Sequence, residues 1–169
     1  AMTIGVINVV DSLIAREVDC GIYCNAGKEV GVASTKAFTS QVVCLSLMAM
    51  WFSQLHGINE QLRTRTISDL QNLSNDFKNT IENVEPVTKT LSSKLADVKN
   101  LFILGKGSDE CIAREGSLKV KEISYVHAEG YSASSLKHGP FALLDETFPV
   151  IILNLDSKYE TKIQNCVEE

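Results

Sequence analysis

Apolar residues in this chain fall into short unbroken blocks, and between the blocks they recur at helical spacing. Thr3-Ile4-Gly5-Val6-Ile7-Asn8-Val9-Val10 is a β-branched run of the kind that suits a strand buried on both faces of a parallel sheet. Asp11-Ser12 can cap a helical turn through Arg16-Glu17. Asp19 to Cys24 reads as a second short strand, and Asn25 to Glu29 as a turn. A helix capped by Ser34 or Thr35 follows and runs to about Leu55, with Gly57 as its stop signal. Residues 59–99 are polar, with Leu62, Leu70, Leu73, Phe77, Ile81 and Val84 in one stripe. That pattern, with Asn59, Ser68 and Ser74 as possible caps and Pro86 placed in a first turn, predicts two or three helices.

Beyond residue 100 the strand signals return. Leu101-Phe102-Ile103-Leu104 reads as a buried strand, and Gly105-Lys106-Gly107-Ser108-Asp109 turns the chain into a helix. Val126 to Glu129 is a short strand, Ser132 to Lys137 a short helix, and Pro149 to Leu153 another buried strand. Asp156-Ser157 caps a last helix over 158–169. Strands alternating with helices imply an α/β fold with parallel strands. A parallel strand so close to residue 1 has nothing before it to pair with. The expectation is therefore a segment of a longer protein, with a sheet region on each side of a helical connector.

Composition narrows the partners. Hydrophobic content of 44% and charged content of 22% are those of a globular domain. A net charge of −5, with no basic run or aromatic-basic stripe, argues against nucleic acid. The longest apolar run, Val42 to Phe52, is broken by Ser46 and reads as too short to span a bilayer. No signal peptide is visible. Five cysteines without a CxxC pair or a second ligand pair at zinc spacing predict reduced, mostly buried thiols in a cytoplasmic protein.

The chemistry concentrates between Glu115 and Pro140. Glu115, Lys119 and Glu122 stand at i, i+4 and i+7, within one narrow stripe at about 100° per residue. Leu118 borders the stripe on one side, and Ile112, Ile123 and Val120 on the other. Apolar borders suggest carboxylates in a partly buried cleft rather than on a solvated face. The plain alternative is an i, i+4 ion pair on a surface helix. His138 sits in Lys137-His138-Gly139-Pro140, on a loop that its glycine and proline hold. His127 reads as a core or interface group and His56 as a helix-end residue.

Two glycine- or serine-bearing turns stay open. Gly105-Lys106-Gly107-Ser108 could approach an anion or simply turn the chain, and it matches neither a dinucleotide fingerprint nor a P-loop. Ser34 could bond a ligand hydroxyl or cap its own helix. There is no G-x-S-x-G elbow. Acid–base chemistry fits better: a carboxylate base, a lysine to steady negative charge, and a histidine that titrates near neutral pH.

Four stretches carry a family likeness. They are Asn25-Ala26-Gly27, Glu29 to Gln41 (EVGVASTKAFTSQ), Glu115 to Tyr125 (EGSLKVKEISY), and Leu136-Lys137-His138-Gly139-Pro140. In them the chain resembles the isomerase portion of the glutamine–fructose-6-phosphate aminotransferases, the glucosamine-6-phosphate synthase family, which is built from two sugar isomerase (SIS) domains. The resemblance covers essentially the whole chain and is loosest over 55–100. It implies SIS-type parallel sheets flanked by helices in three α/β/α layers, as two partial SIS domains. Residues 1–55 would be the C-terminal part of the first. Residues 56–100 would be a helical connector, and 101–169 the N-terminal and central part of the second.

The implied reaction condenses ammonia with fructose 6-phosphate and isomerises the imine to glucosamine 6-phosphate. The ammonia would come from a glutaminase domain of the same full-length chain. By resemblance Glu122 is the base, His138 assists ring opening in a partner subunit's site, and Lys119 and Glu115 lie near the reacting carbons. Val32, Ala33 and Ser34 match the loop that contacts the sugar. No metal or organic cofactor is implied, and at least a homodimer is. Ser134-Ser135 replace the family's usual Gly-Glu, removing a carboxylate near His138. The serine- and threonine-rich phosphate loop, the N-terminal cysteine nucleophile and the lysine-bearing tail have no counterpart here, so the chain alone is expected to be inactive. Two other readings compete: a regulatory SIS module that binds a phosphosugar without turnover, and a pure dimerisation module. The presence of both Glu122 and His138 favours the enzyme.

Overall fold

The computed structural model describes residues 1–168, so position 169 of the expected last helix lies outside the described residues. The chain forms two compact units, Ala1–Thr90 and Leu91–Glu169.

In the first unit, β1 (Ile4–Ile7) pairs in parallel with β2 (Cys20–Tyr23), Ile4 opposite Cys20 and Ile7 opposite Tyr23. The crossover carries α1 (Leu13–Glu17), capped by Ser12, whose Oγ accepts from the Ala15 N–H at 3.3 Å. β1 is shorter than the apolar run predicts. Asn8 leaves the ladder, donating its amide to the Gly27 carbonyl at 2.8 Å and accepting from Ala26 N–H at 2.9 Å. Val9 and Val10 are then exposed. The two strands are not buried on both faces either. Among residues 1–90 only Gly5, Ile7 and Ala37 are buried, because a two-stranded sheet with a helix against β1 cannot cover both of its sides.

α2 (Lys36–Leu55) starts and stops where the caps predict. Its twenty residues exceed the expected apolar run, and by length and composition the helix could cross a membrane, which corrects the reading from Val42–Phe52 alone. α3 (Glu60–Lys94) is a single helix of 35 residues rather than two or three. Ser68 and Ser74 lie inside it, and the hydroxyls of Thr64, Thr66, Thr88 and Thr90 bond back to carbonyls four residues earlier. Pro86 is a helix-interior residue, not a first-turn one. It removes one N–H from the ladder without ending it.

The second unit is a three-stranded parallel sheet in the order β4-β3-β5, with β3 (Asn100–Gly105) between β4 (His127–Ser132) and β5 (Val150–Ile152). Leu101 pairs with Ala128, and Phe102 with Val150. The period-2 alternation of β3 supplies two cores. Leu101 and Ile103 pack with Ala113, Ala128 and Val120 under α4 (Ser108–Ser124). Phe102 and Leu104 pack with Ala133, Leu136 and Ile163 on the other side, under α5 (Glu160–Glu168). These are the three α/β/α layers.

Close approaches fix α4 in this layer. A Cβ on Gly130 would come within 2.5 Å of the Arg114 Cα, so β4 and α4 meet backbone to backbone there. Asp109, 4% exposed, accepts from the N–H groups of Leu155 at 2.8 Å and Asp156 at 3.4 Å. The first turn of α4 is thereby tied to the loop after β5. β4 continues through Ser132, where a short helix over 132–137 was predicted; only Leu136–His138 coils, as a 3-10 turn. Ladder pairing of Tyr131 with Leu104 and Ser132 with Gly105 outweighs the weak helical signal of the serines. Asp156 caps a 3-10 turn, Ser157–Tyr159, that leads into α5.

Candidate active site

α4 turns Ala113, Ser117 and Val120 towards the sheet, which places Glu115, Lys119 and Glu122 on the helix's other side. The Lys119 Nζ lies 2.7 Å from Glu122 Oε2 and 3.3 Å from Glu115 Oε1. The three side chains retain only 27%, 22% and 21% exposure for Glu115, Lys119 and Glu122 respectively. Sequence spacing predicts this grouping, and the structure makes it one ion-paired cluster on a rigid helix.

The hydrogen bond to Glu122 holds the Lys119 ammonium above the ordinary lysine value, with Glu115 adding to the effect and desolvation opposing it. Lys119 is therefore a fixed positive charge at neutral pH. Its apolar borders differ from expectation. Val120 belongs to the core, but Ile112, Leu118 and Ile123 are exposed, so this unit's apolar residues do not close a cleft over the stripe.

His138 ends the 3-10 turn Leu136–His138 and is exposed, its N–H donating to the Ser135 carbonyl at 3.0 Å. Leu136 packs into the core on the sheet face opposite α4. Within the unit, the turn carrying His138 thus packs on the sheet face opposite α4 and its Glu115–Lys119–Glu122 cluster. His127 is exposed rather than core, with Nε2 3.3 Å from Glu129 Oε1. His56 is the C-cap of α2, as its position predicts.

The first unit carries Val32, Ala33 and Ser34 in the loop before α2; Val32 is largely exposed, and Ala33 and Ser34 are half-buried. Neither Ser34 nor Thr35 caps the helix with its side chain. Glu29 does so from outside. Its Oε1 accepts from the N–H groups of Thr35 at 2.9 Å and Ala37 at 3.2 Å, and its Oε2 accepts from Ser34 Oγ at 2.9 Å. Those bonds, Thr35 first and Ala37 second, hold the Glu29 carboxyl below the usual glutamate range; Ser34 and Lys36 contribute less. Sequence reading placed Glu29 in a turn and missed this role. The available signal was an acid five residues before Ser34, just ahead of a helix with no acid in its first turn.

The glycines of the 105–108 turn serve packing. A Cβ on Gly105 would meet the Asp109 carbonyl oxygen at 2.2 Å, and one on Gly107 would meet the Tyr159 ring at 2.5 Å. The five cysteines form no disulfide, but none is buried: Cys20 and Cys111 are exposed, and Cys24, Cys44 and Cys166 are half-buried. That corrects the expectation of mostly buried cysteines.

Residues 94–168 match the SIS domain family. Over 99% of its length the chain is 51% identical to a protein of Acanthamoeba polyphaga mimivirus named "Probable glutamine–fructose-6-phosphate aminotransferase [isomerizing]". Over its whole length it is 44% identical to the glutamine–fructose-6-phosphate aminotransferase (isomerizing) of Chlorobaculum tepidum. It spans 27% of each of those relatives. The C-terminal domain of glucosamine-fructose-6-phosphate aminotransferase from Francisella tularensis matches 98% of the chain at a TM-score of 0.91 and 33% identity, and the chain covers 46% of that structure.

The parallel sheet, its helical layers and the family match make this an α/β protein of the SIS class. Within that class the whole chain is similar to a stretch of the C-terminal region of the glutamine–fructose-6-phosphate aminotransferases.

Proposed function

We propose that the chain is part of the isomerase region of a glutamine–fructose-6-phosphate aminotransferase. Residues 1–55 are the end of a first SIS domain, 56–100 the connector and 101–169 the start and centre of a second. The observation that carries the reading is the half-buried Glu122–Lys119–Glu115 cluster on α4, in a chain with this similarity.

The chemistry asks for one base that reaches two adjacent carbons and one positive charge that does not titrate. Glu122, fixed on a helix, takes a proton from C1 of the imine that ammonia forms at C2 of fructose 6-phosphate. The electrons move into a C1–C2 double bond. Returning the proton to C2, with the C1 hydroxyl proton passing to nitrogen, leaves an aldehyde at C1 and an amine at C2, which is glucosamine 6-phosphate. A carboxylate positioned in this way supplies both proximity and general base catalysis. Lys119, held protonated by two carboxylates, steadies the negative charge that develops at oxygen.

Val32, Ala33 and Ser34 contact the sugar in this reading, and His138 serves ring opening in a partner subunit's site, which requires a homodimer. The ammonia comes from a glutaminase domain of the longer protein, in the cytoplasm, and the 169-residue chain alone does not turn over. Replacing Glu122→Gln in the longer protein tests the assignment. Turnover should fall about 10²–10⁴-fold with sugar-phosphate binding retained. Unchanged turnover would instead point to a regulatory phosphosugar-binding module.

A further inference from the structure

Glu29 is a single carboxylate that occupies two sets of donors. Its Oε1 takes two backbone N–H groups at the start of α2, those of Thr35 and Ala37, and its Oε2 takes the Ser34 hydroxyl. An ionised carboxylate has no hydrogen to give. The Ser34–Glu29 bond at 2.9 Å therefore has one direction: Ser34 donates and Glu29 accepts. A hydroxyl carries one hydrogen and two lone pairs, so Ser34 Oγ has only lone pairs left for a ligand. A helix N-terminus usually attracts a phosphate through its free N–H groups. Here Thr35 and Ala37 already serve an anion built into the chain.

We infer that Glu29 is a positioning residue that sets the polarity of this subsite: Ser34 accepts a hydrogen from a hydroxyl of the sugar chain, and the phosphoryl group is kept away from the start of α2. The inference rests on the proposed reading of residues 32–34 as a sugar-contacting loop. It adds a residue that touches no reacting atom and acts through Ser34. A phosphate oxygen at Ser34 would face lone pairs and the nearby Glu29 charge. A sugar O–H would complete a chain of hydrogen bonds that ends on a carboxylate, where such bonds are strongest.

Steady-state kinetics on the longer protein test this with Glu29→Gln, Ser34→Ala and the double variant. A glutamine side chain can donate its NH2 to Ser34 Oγ, which turns the hydroxyl outward as a donor. KM for fructose 6-phosphate should rise about 10-fold or more in Glu29→Gln, the scale of one hydrogen bond to a charged group. Turnover at saturation should hold within a few-fold. The double variant should be no worse than the worse single one, since both disable one contact. Additive losses, or an unchanged KM in Glu29→Gln, would overturn the inference.

Ser34→Ala keeps both N–H bonds to Glu29 and decides the matter if Glu29→Gln does not fold. Its KM should rise while the inhibition constant of inorganic phosphate stays put. Parallel weakening of both would mean that Ser34 holds the phosphoryl group, against the inference. Glu122→Gln in the same assays keeps the two levels apart: if it abolishes turnover while Glu29→Gln is silent, only the positioning role is lost.

Discussion

Lys119 reaches one turn along α4 to bond Glu122 at 2.7 Å, and the same ammonium lies 3.3 Å from Glu115 on the turn before. The central lysine of the stripe therefore serves both acids, with the shorter bond going to the proposed base. Its proton is held more tightly in the folded chain than in the unfolded one. The pairing stabilises the fold fully below the ordinary lysine value of 10.5 and loses that contribution as pH rises through the higher folded value. Thermal melts at rising alkaline pH should show the native chain losing stability more steeply than Lys119→Met. The gap between the two should close above the folded value. A gap that persists would mean that Lys119 acts by packing its stem.

Asp109 gives a second test, on the placement of α4. It is buried, and its Oδ2 is the acceptor for the N–H groups of Leu155 and Asp156. Asp109→Ala would leave two backbone donors without that partner, at a cost of about 1–3 kcal/mol. Urea unfolding should report the loss, and hydrogen exchange should show Leu155 and Asp156 losing protection first. Asp109→Asn keeps one carbonyl oxygen and should cost less.

Pro86 gives a third, with the opposite sign. It sits inside α3, where it cannot supply the ladder N–H that the Glu82 carbonyl would accept. Pro86→Ala restores that donor and should stabilise the helix by up to about 3 kcal/mol. Circular dichroism melts would detect the gain. A loss would show that the proline's shape is needed where α3 packs.

The sequence carried the element order well wherever one local signal was strong. Ser12, Gly57 and Asp156 marked helix ends where the structure has them. The run Leu101–Leu104 became the central strand because every residue in it could be buried. The signals failed where two local preferences competed. Residues 132–137 read as a short helix, but pairing with β3 draws Ser132 into the sheet. Ser68, Ser74 and Pro86 suggested breaks in 59–99, but the backbone ladder ran through them. Val9 and Val10 looked like strand, and the long-range bonds of Asn8 to Ala26 and Gly27 ended it earlier.

The stripe Glu115–Lys119–Glu122 follows from helical periodicity alone, because residues four and three apart on a helix are neighbours whatever the helix packs against. The same holds for the parallel α/β class, which the alternation of strands and helices requires. Tertiary structure decided what periodicity cannot encode: that the turn carrying His138 packs, through Leu136, on the sheet face opposite α4, and that Glu29, not Ser34, caps α2. Layer assignment depends on which sheet face a loop returns to. A cap supplied from outside the helix depends on a fold-back of the chain. Both are set by where the backbone goes, which no local spacing of residue types records.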